Sequence, residues 1–424
     1  MDEVRVLHIA DLHIDSPMHG LVPYDDEVPV DVIRTATRTA LRLVVNDAIQ
    51  EKVQLVVIAG DLYDGNWRDY NTGIFVTNQL AELNDAGIPV AIVLGNHDAE
   101  SVVTKQLRLP PNTHLFSSSR PETWVVNEVG IAVHGQSYAE RATFADLAAE
   151  YPTGDSGLIN IGLLHTCFNG QLGHEPYAPC TLDDLRSKGY DYWALGHVHN
   201  YTVISEDPLV VFPGNLQGRN IRETGPKGAC LVTFEDRHPT VQRLFKDVVQ
   251  WEHVQLDVSG VTSIDDSLDR CRDELLRVVE SGSEVYAMRV EFVGATVANQ
   301  ALRAHHEHLS AEIRILANNL GGAEVWIEKV VVSTNSPRGQ LDFTGDGVAG
   351  EIGRVLVELQ DDLPSLAGTD HPRLPELSSL RSQLSAARSG IGEALNDEEL
   401  SEGLRDAAEM LAALLGGEGS FDAN

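Results

Sequence analysis

The side chains best suited to chemistry in this sequence follow strand-like apolar runs. The pentapeptide GHVHN, residues 196–200, places two imidazoles one residue apart, directly after the apolar run YDYWAL. Four other apolar runs also end in polar side chains that could bind a metal ion. The five endings are Asp11-Leu12-His13, Asp61, Asn96-His97-Asp98, His165 and His197-Val198-His199. Each ending alone is weak evidence, but the five together indicate one shared site.

Runs this apolar are typical of strands that are buried on both faces of a sheet covered by helices. The stretches between the first three runs, such as residues 36–50 and 73–85, fit crossover helices. In open α/β sheets, ligands collect just beyond the C-terminal ends of the strands. We therefore expect the five endings to converge on one rim of the fold.

The expected rim contains carboxylates, imidazoles and one amide but no thiolate, which is typical of a catalytic site for Mn²⁺, iron or Zn²⁺. One ion could not use so many ligands and keep an open position. Two ions ~4 Å apart could, provided that one carboxylate bridges them. Asp61, on a tight Gly60-Asp61 turn, is the expected bridge. The offset histidines His197 and His199 could then serve one ion each.

The motifs DLH, GDLYDG, GNHD, LLHT and GHVHN, in this order, resemble the calcineurin-like metallophosphoesterase superfamily. Within it, ADLHIDSP near the N-terminus and VFPGNLQGRNIRETGPKG after the histidine pair are similar to DNA repair exonucleases of the YhaO and SbcD type. The resemblance covers about residues 1–250 and continues more loosely to about residue 335. It is thin beyond that point.

The resemblance implies a site with two divalent metal ions, most often Mn²⁺ in nucleases of this branch. The first ion would be held by Asp11, His13, Asp61 and His199. The second ion would be held by Asp61, Asn96, His165 and His197. The resemblance further implies that His97 contacts the scissile phosphate and protonates the leaving oxygen, with Asp64 as the carboxylate that orients it.

The implied activity is two-metal hydrolysis of DNA phosphodiester bonds, at ends or in single strands. Two cations lower the pKa of a bridging water enough to give a metal-bridged hydroxide near neutral pH, and they stabilise charge on the phosphoryl oxygens. A phosphatase or nucleotidase acting on small phosphoesters is the alternative enzyme, because the superfamily shares this metal site. A non-catalytic scaffold is a third interpretation, although every expected ligand is present.

The charge of the chain limits how it could hold nucleic acid. The chain has 31 Lys and Arg against 64 Asp and Glu, a formal net charge of −33. This charge excludes electrostatic binding of nucleic acid over the whole surface. Basic contacts must then come from local patches. The loop GNLQGRNIRETGPKG supplies three predicted substrate-binding residues: Arg219, Arg222 and Lys227. Three aromatic residues could stack on bases or pack in the core: Tyr24, Trp67 and Tyr138.

The predicted architecture is α/β, a two-sheet β-sandwich flanked by helices, with a small α/β capping domain and a helical C-terminal tail. We expect the metallophosphoesterase domain at 1–255, the capping domain at 256–335, and a linker and partner-binding tail at 336–424. The short β segments PLVVFPG, GACLVTFE, TVQRLFK and WEHVQLDV should complete the second sheet. In the capping domain, helices are expected near 263–280 and 297–319.

The tail carries amphipathic runs such as EIGRVLVELQ and has 6 Arg and 17 Asp or Glu, so it should repel a phosphate backbone. It could pack on its own capping domain or dock onto a coiled-coil ATPase of the SbcC or YhaN type, which the resemblance implies. No run approaches the ~18 apolar residues of a membrane span. Four widely spaced cysteines and no signal sequence predict a cytoplasmic protein without membrane partners, and a homodimer stays open.

Overall fold

The computed structural model describes residues 3–16, 30–64, 70–99, 108–169, 177–280 and 282–337. These residues divide into two compact units, one of residues 3–252 with 282–287 and one of 253–280 with 288–337. Tyr24 and Trp67, for which base stacking and core packing are both open, lie outside the described residues, as does almost all of the predicted partner-binding tail.

The secondary-structure elements are numbered in chain order. The strands are β1 Val4–Ile9, β2 Leu55–Ala59, β3 Val90–Val93, β4 Thr113–Leu115, β5 Glu122–Val126, β6 Ile131–Gly135, β7 Ile159–His165, β8 Tyr192–Gly196, β9 Thr202–Glu206, β10 Leu209–Phe212, β11 Gly228–Glu235, β12 His238–Phe245, β13 Val249–Asp257, β14 Val285–Ala295 and β15 Glu324–Asn335. The helices are α1 Val30–Gln50, α2 Tyr70–Asp85, α3 Asn96–Ala99, α4 Leu182–Arg186, α5 Ile264–Val279, α6 Asn299–Ala304 and α7 His306–Asn318. A short 3₁₀ turn covers Ala148–Glu150.

The first unit contains two six-stranded sheets, in the strand orders β12-β11-β1-β2-β3-β4 and β5-β6-β7-β8-β10-β9. Strands β1 to β4 are parallel, as are β6, β7, β8 and β10, so both sheets have a parallel centre. Strands β11, β5 and β9 pair antiparallel with their neighbours β1, β6 and β10. The predicted two-sheet α/β fold is confirmed.

The apolar runs are continuous because the central strands are covered on both faces. In β1, the side chain of Val6 belongs to the core between the two sheets, whereas Leu7 belongs to the core beneath α1 and α2. Successive side chains of a strand point to opposite faces, so both faces must be apolar when both are buried. Beneath the helices, β1 packs with residues such as Val44 of α1 and Leu80 of α2.

The predicted positions of three late β segments, GACLVTFE, TVQRLFK and WEHVQLDV, were wrong. GACLVTFE and TVQRLFK form β11 and β12, which extend the first sheet beside β1 rather than the second sheet, with Val6 opposite Val232. β13 joins β14 and β15 in a separate three-stranded sheet. The β pattern of a segment indicates that it is half-buried, but it does not encode which open sheet edge the segment covers.

The second unit has helices at both predicted positions, with one difference. The single helix expected near 297–319 is divided into α6 and α7 at His305, which has a φ of −108° and a ψ of 32°. Within the described part of the chain, no helix is long and apolar enough to cross a membrane.

Candidate metal centre

The loops after β1 and β2 are joined backbone to backbone. The amide of Asp11 donates to the carbonyl of Gly60, and the amide of His13 donates to the carbonyl of Asp61, each at 3.0 Å. The three non-glycine residues have left-handed backbones, with φ values of 51°, 40° and 52° for Asp11, His13 and Asp61. Such conformations cost energy and are found mainly at functional sites, and here they turn both polar side chains of the DLH motif and Asp61 towards one place.

Two glycines make room for these side chains. A Cβ on Gly95 would lie 2.2 Å from Oδ1 of Asp61, and a Cβ on Gly60 would lie 2.4 Å from Nδ1 of His165. Gly60 also has a φ of +93°, which favours glycine. The GD and GN dipeptides of the motifs are therefore needed for the close approach of β2, β3 and β7 at the site.

The four residues expected at the first ion lie close together. Nε2 of His13 is 3.3 Å from Nε2 of His199 and 3.8 Å from Oδ2 of Asp61. Nε2 of His199 is 4.0 Å from Oδ1 of Asp11. Ligand atoms with bonds of about 2.1 Å to one ion are separated by roughly 3 to 3.5 Å. The cluster is slightly wider than this but can hold an ion after small side-chain shifts.

The residues expected at the second ion are also brought together. Nε2 of His165 lies 2.9 Å from Oδ1 of Asn96 and 3.5 Å from Oδ2 of Asp61. The His197 ring lies beside that of His165, with 5.2 Å between the ring centroids. Oδ2 of Asp61 therefore faces both His13 and His165, which is the arrangement that a bridging carboxylate requires.

The protonation states suit a cation. Burial raises the pKa of Asp11 well above its usual value, helped by the neighbouring charge of Asp61, so the site favours added positive charge. Burial lowers the pKa of His13 and of His165, which keeps both imidazoles in the neutral, metal-binding form. Among the described residues, three groups have donor atoms within 4.8 Å of one another: Asp11-His13-His199, His13-Asp61-His97 and Asp11-Asp61-His165. The donor set fits two divalent ions.

His97 and Asp64 form a pair at the edge of the clusters. Nδ1 of His97 lies 2.9 Å from Oδ1 of Asp64, whose Oδ2 accepts a hydrogen bond of 2.6 Å from the Ser16 hydroxyl. Burial alone would raise the pKa of Asp64, but its contacts with His97 and Ser16 lower that pKa to about 2. Burial alone would lower the pKa of His97, but Asp64 and Asp61 raise it above the ordinary value. With 28% of its side chain exposed, His97 is the member of the pair best placed to reach a substrate.

Asp98 and Asp15 support the loops around the site. Asp98 accepts hydrogen bonds of 3.1 Å from the amides of Leu62, Tyr63 and Gly95, so it ties the loop after β2 to the loop after β3. Burial and the charge of Asp61 raise the pKa of Asp98 to about 7. Asp15 accepts from Nε of Arg38 at 2.7 Å.

Sequence reasoning missed Glu223. Its Oε1 lies 2.8 Å from Nδ1 of His199 and 2.7 Å from a terminal nitrogen of Arg219, and its Oε2 accepts from the amide group of Asn215 at 2.9 Å. A carboxylate on the outer nitrogen of a ligand histidine fixes its tautomer and orientation. Glu223 is the single acidic residue between Pro208 and Phe234, which is the signal that could have identified it.

The three basic residues of this loop differ in burial and in their contacts. Arg219 is 14% exposed at its side chain, pairs with Glu223 and lies 3.8 Å from Oδ2 of Asp64, so it lies at the site. Lys227 is buried, and its ammonium group donates to the carbonyl of His199 at 3.0 Å, which favours a positioning role over phosphate contact. Arg222 is exposed.

Tyr138, for which base stacking and core packing were both open, is packed in the core. It is 2% exposed and meets the ring of His165 edge-on, with 5.5 Å between the ring centroids. It is therefore placed to support His165.

Comparison with known proteins is consistent with this site. The family model described as calcineurin-like phosphoesterase matches residues 4–201, and the middle domain of metallophosphoesterase YhaO matches residues 251–335. The chain is 34% identical over 289 residues to the "Uncharacterized metallophosphoesterase YhaO" of Bacillus subtilis, covering 67% of this chain and 71% of that protein. The chain belongs to the calcineurin-like metallophosphoesterases. A metallophosphoesterase with this donor set is a metal-dependent hydrolase of phosphate esters.

This metallophosphoesterase is also similar to proteins named "DNA double-strand break repair protein Mre11". It is 27% identical to that of Sulfurisphaera tokodaii, over 62% of this chain and 67% of the relative. It is 25% identical to that of Methanopyrus kandleri, over 73% and 70%. Among solved structures, a dimetal phosphatase from Danio rerio is 14% identical and covers 54% of this chain and 92% of its own, with a TM-score of 0.34.

Proposed function

We propose that this metallophosphoesterase hydrolyses phosphodiester bonds in DNA as a repair exonuclease, with two Mn²⁺ ions as its cofactors. The observation that carries the proposal is its similarity to the Mre11 repair proteins, which covers 62% to 73% of the chain for the two relatives described above. A likeness of this extent takes in more than the metal-binding motifs that all metallophosphoesterases share. We keep the division into a nuclease domain at 1–255, a capping domain at 256–335 and a partner-binding tail at 336–424 as part of this proposal.

The ligands follow from the two clusters. The first ion would be held by Asp11, His13, Asp61 and His199, and the second by Asp61, Asn96, His165 and His197. Two divalent ions bound there supply Lewis acidity towards the phosphate and acidify water, so the protein needs no general base. The chain supplies what the ions cannot, which is orientation of the ligands and a proton for the leaving oxygen.

The proton would come from His97. An alkoxide is a poor leaving group, and a positioned imidazolium that protonates it contributes roughly 10²- to 10⁴-fold in rate. Asp64 holds Nδ1 of His97 at 2.9 Å, which leaves Nε2 for the substrate. The raised pKa of His97 increases the protonated fraction that is available to act as the acid. We expect Arg219 to contact a phosphate oxygen, with the exposed Arg222 farther along the same loop.

The proposal is tested with the full chain and three substrates: bis(p-nitrophenyl) phosphate, p-nitrophenyl phosphate and a blunt DNA duplex with an end label. In Mn²⁺, we expect hydrolysis of the diester and stepwise loss of nucleotides from the DNA. Rapid cleavage of the monoester without any attack on DNA would instead establish the small-molecule phosphatase. Absence of activity on all three substrates with metal bound would establish a scaffold.

We also propose a coiled-coil ATPase of the SbcC or YhaN kind as the partner. The net charge of −33 gives the chain little general attraction for a phosphate backbone, so a partner that binds DNA would supply most of the affinity. The proposed docking segment is the acidic, amphipathic tail.

A further inference from the structure

Three arginines form a row on the first helix, which we call the α1 arginine row: Arg34, Arg38 and Arg42. They are spaced i, i+4 and i+8 on α1 (Val30–Gln50), so they lie on one side of the helix, about 6 Å apart along its axis. Residues 32–46 contain these three arginines and no acidic residue. In a chain with 64 acidic and 31 basic residues, such a concentration of positive charge is unusual.

Two of these arginine side chains contact the same aromatic ring. The guanidinium carbons of Arg38 and Arg42 lie 5.1 and 4.9 Å from the centroid of the Phe75 ring of α2. Phe75 itself packs partly buried against the core beneath the helices. Cation–π contacts of this kind restrict the arginines before any ligand arrives, so less conformational entropy is lost on binding.

The middle residue of the row, Arg38, contacts the loop that carries the proposed ligand His13. Nε of Arg38 donates to Oδ1 of Asp15 at 2.7 Å, two residues after the proposed ligand His13. The next residue, Ser16, donates its hydroxyl hydrogen to Asp64, the partner of His97. Arg38 is thus connected to the proposed general acid through one short loop.

The positive charge of the row is only partly neutralised. Asp15 pairs with Arg38, but no carboxylate in the described part of the chain forms an ion pair with Arg34 or Arg42. On the neighbouring helix, residues 70–81 include no charged side chain. The row therefore presents two arginines, Arg34 and Arg42, whose charge no ion pair neutralises in the described part of the chain.

We propose that the α1 arginine row binds the phosphate backbone of the nucleic-acid strand that extends beyond the bond being cleaved. This inference rests on the proposed function, because a small phosphoester would end before it reached the row. The row is ~12 Å long, and one strand of duplex DNA carries a phosphate every ~3.4 Å along the axis, so the row can follow several phosphates. The planar guanidinium group suits bidentate contact with phosphate oxygens.

The test uses the full-length double variant Arg34→Gln/Arg42→Gln, which spares Arg38 and its contact with Asp15. The matched control is Arg120→Gln/Arg277→Gln, which removes the same charge from two other exposed positions. Binding of a fluorescent single-stranded (dT)₂₀ is measured without metal between 50 and 300 mM NaCl. Hydrolysis of bis(p-nitrophenyl) phosphate in Mn²⁺ reports the metal centre.

For the row variant, the slope of log K against log salt should become shallower by about 1.4, because each lost phosphate contact on a single strand removes about 0.7 from its magnitude. Its diester hydrolysis should equal that of the unchanged protein, and the control should keep the full slope. If the unchanged protein binds and degrades DNA but the row variant keeps its slope, the row is not a backbone site and the proposed function stands. If the unchanged protein neither binds nor degrades DNA, the proposed function fails and the row proposal fails with it.

Discussion

The amide oxygen of Asn96 lies 2.9 Å from Nε2 of His165, while Nδ1 of the same ring lies 2.8 Å from the carbonyl of Ala59. The neutral imidazole has one N–H, and the carbonyl of Ala59 can only accept, so that hydrogen is on Nδ1. Nε2 and the Asn96 oxygen are then two lone pairs that face each other. A cation between them removes this repulsion, which is the strongest local argument that the site is built for a metal ion.

His97 should be needed for chemistry but not for metal binding. His97→Asn removes the proton donor and leaves all seven proposed ligands in place, so we expect a 10²- to 10⁴-fold lower rate on DNA. Isothermal titration with Mn²⁺ should still give two ions per chain. Loss of an ion in this variant would make His97 a ligand, as its place in one of the three donor groups would allow.

Glu223 should act through His199. Glu223→Ala removes the acceptor at Nδ1 of His199 and the nearer of the two carboxylates that pair with Arg219, and we expect 10- to 100-fold weaker binding of one of the two ions. Glu223→Gln keeps the size and one acceptor oxygen, so it should be milder. Glu235→Gln, an exposed position, is the control. Equal Mn²⁺ affinity in Glu223→Ala and the unchanged protein would remove Glu223 from the metal centre.

Buried His8 should contribute to the pH dependence of stability. Its ring contacts Oη of Tyr192 at 2.8 Å and the carbonyl of Leu195 at 3.2 Å, and burial lowers its pKa to about 3. The His8 ring binds a proton near pH 6.5 in the unfolded chain, whereas in the folded chain it stays neutral until the pH is near 3. Stability from this group is therefore complete above pH 6.5 and falls by up to about 1.4 kcal/mol per pH unit as the pH drops towards 3.

The measurement is the free energy of unfolding in urea between pH 8 and pH 4, with a chelator present so that metal binding does not contribute. Below pH 6, the slope of the free energy of unfolding against pH should be smaller for His8→Gln than for the unchanged protein. The difference should be nearly that of one bound proton, about 1.4 kcal/mol per pH unit, whatever the absolute stability of the variant. His238→Gln, at an exposed position, should keep the slope of the unchanged protein. Identical slopes for all three proteins would show that His8 becomes protonated within the fold.

The tail should matter for the partner and not for the metal centre. A chain truncated after residue 336 keeps every proposed ligand, so its hydrolysis of bis(p-nitrophenyl) phosphate in Mn²⁺ should be nearly unchanged. Co-purification with the ATPase, and stimulation of DNA degradation by it, should be lost. Undiminished binding of the ATPase to the truncated chain would make the tail a structural appendage.

Much of this fold could be predicted because strong local patterns determine it. The apolar runs of β1, β2, β3, β7 and β8 mark strands buried on both faces, and their polar endings mark the site. The sequence did not predict the sheet position of strands whose pairing partners are distant in the chain. β11 and β12 cover the edge of β1 in the first sheet, and no local feature of their sequences encodes that edge.

The site was predictable in its ligands and less so in its supports. Glu223 was missed because its role arises from contacts with His199 and Arg219 that form only when β8 and the loop after β10 meet. Lys227 has the charge of a phosphate-binding residue, but its burial against the carbonyl of His199 is a tertiary property. Side-chain type and spacing indicate the chemistry, whereas burial decides which charges can reach a substrate.

The most direct test of the bridged metal centre is the electron paramagnetic resonance spectrum of the protein with two equivalents of Mn²⁺. Because Asp61 faces both His13 and His165, we expect two ions that share this carboxylate and give an exchange-coupled spectrum. In Asp61→Asn the coupling and the diester hydrolysis should both disappear, and at least one ion should bind more weakly. Two fully bound, exchange-coupled ions in Asp61→Asn, or isolated ions in the unchanged protein, would contradict the bridged centre.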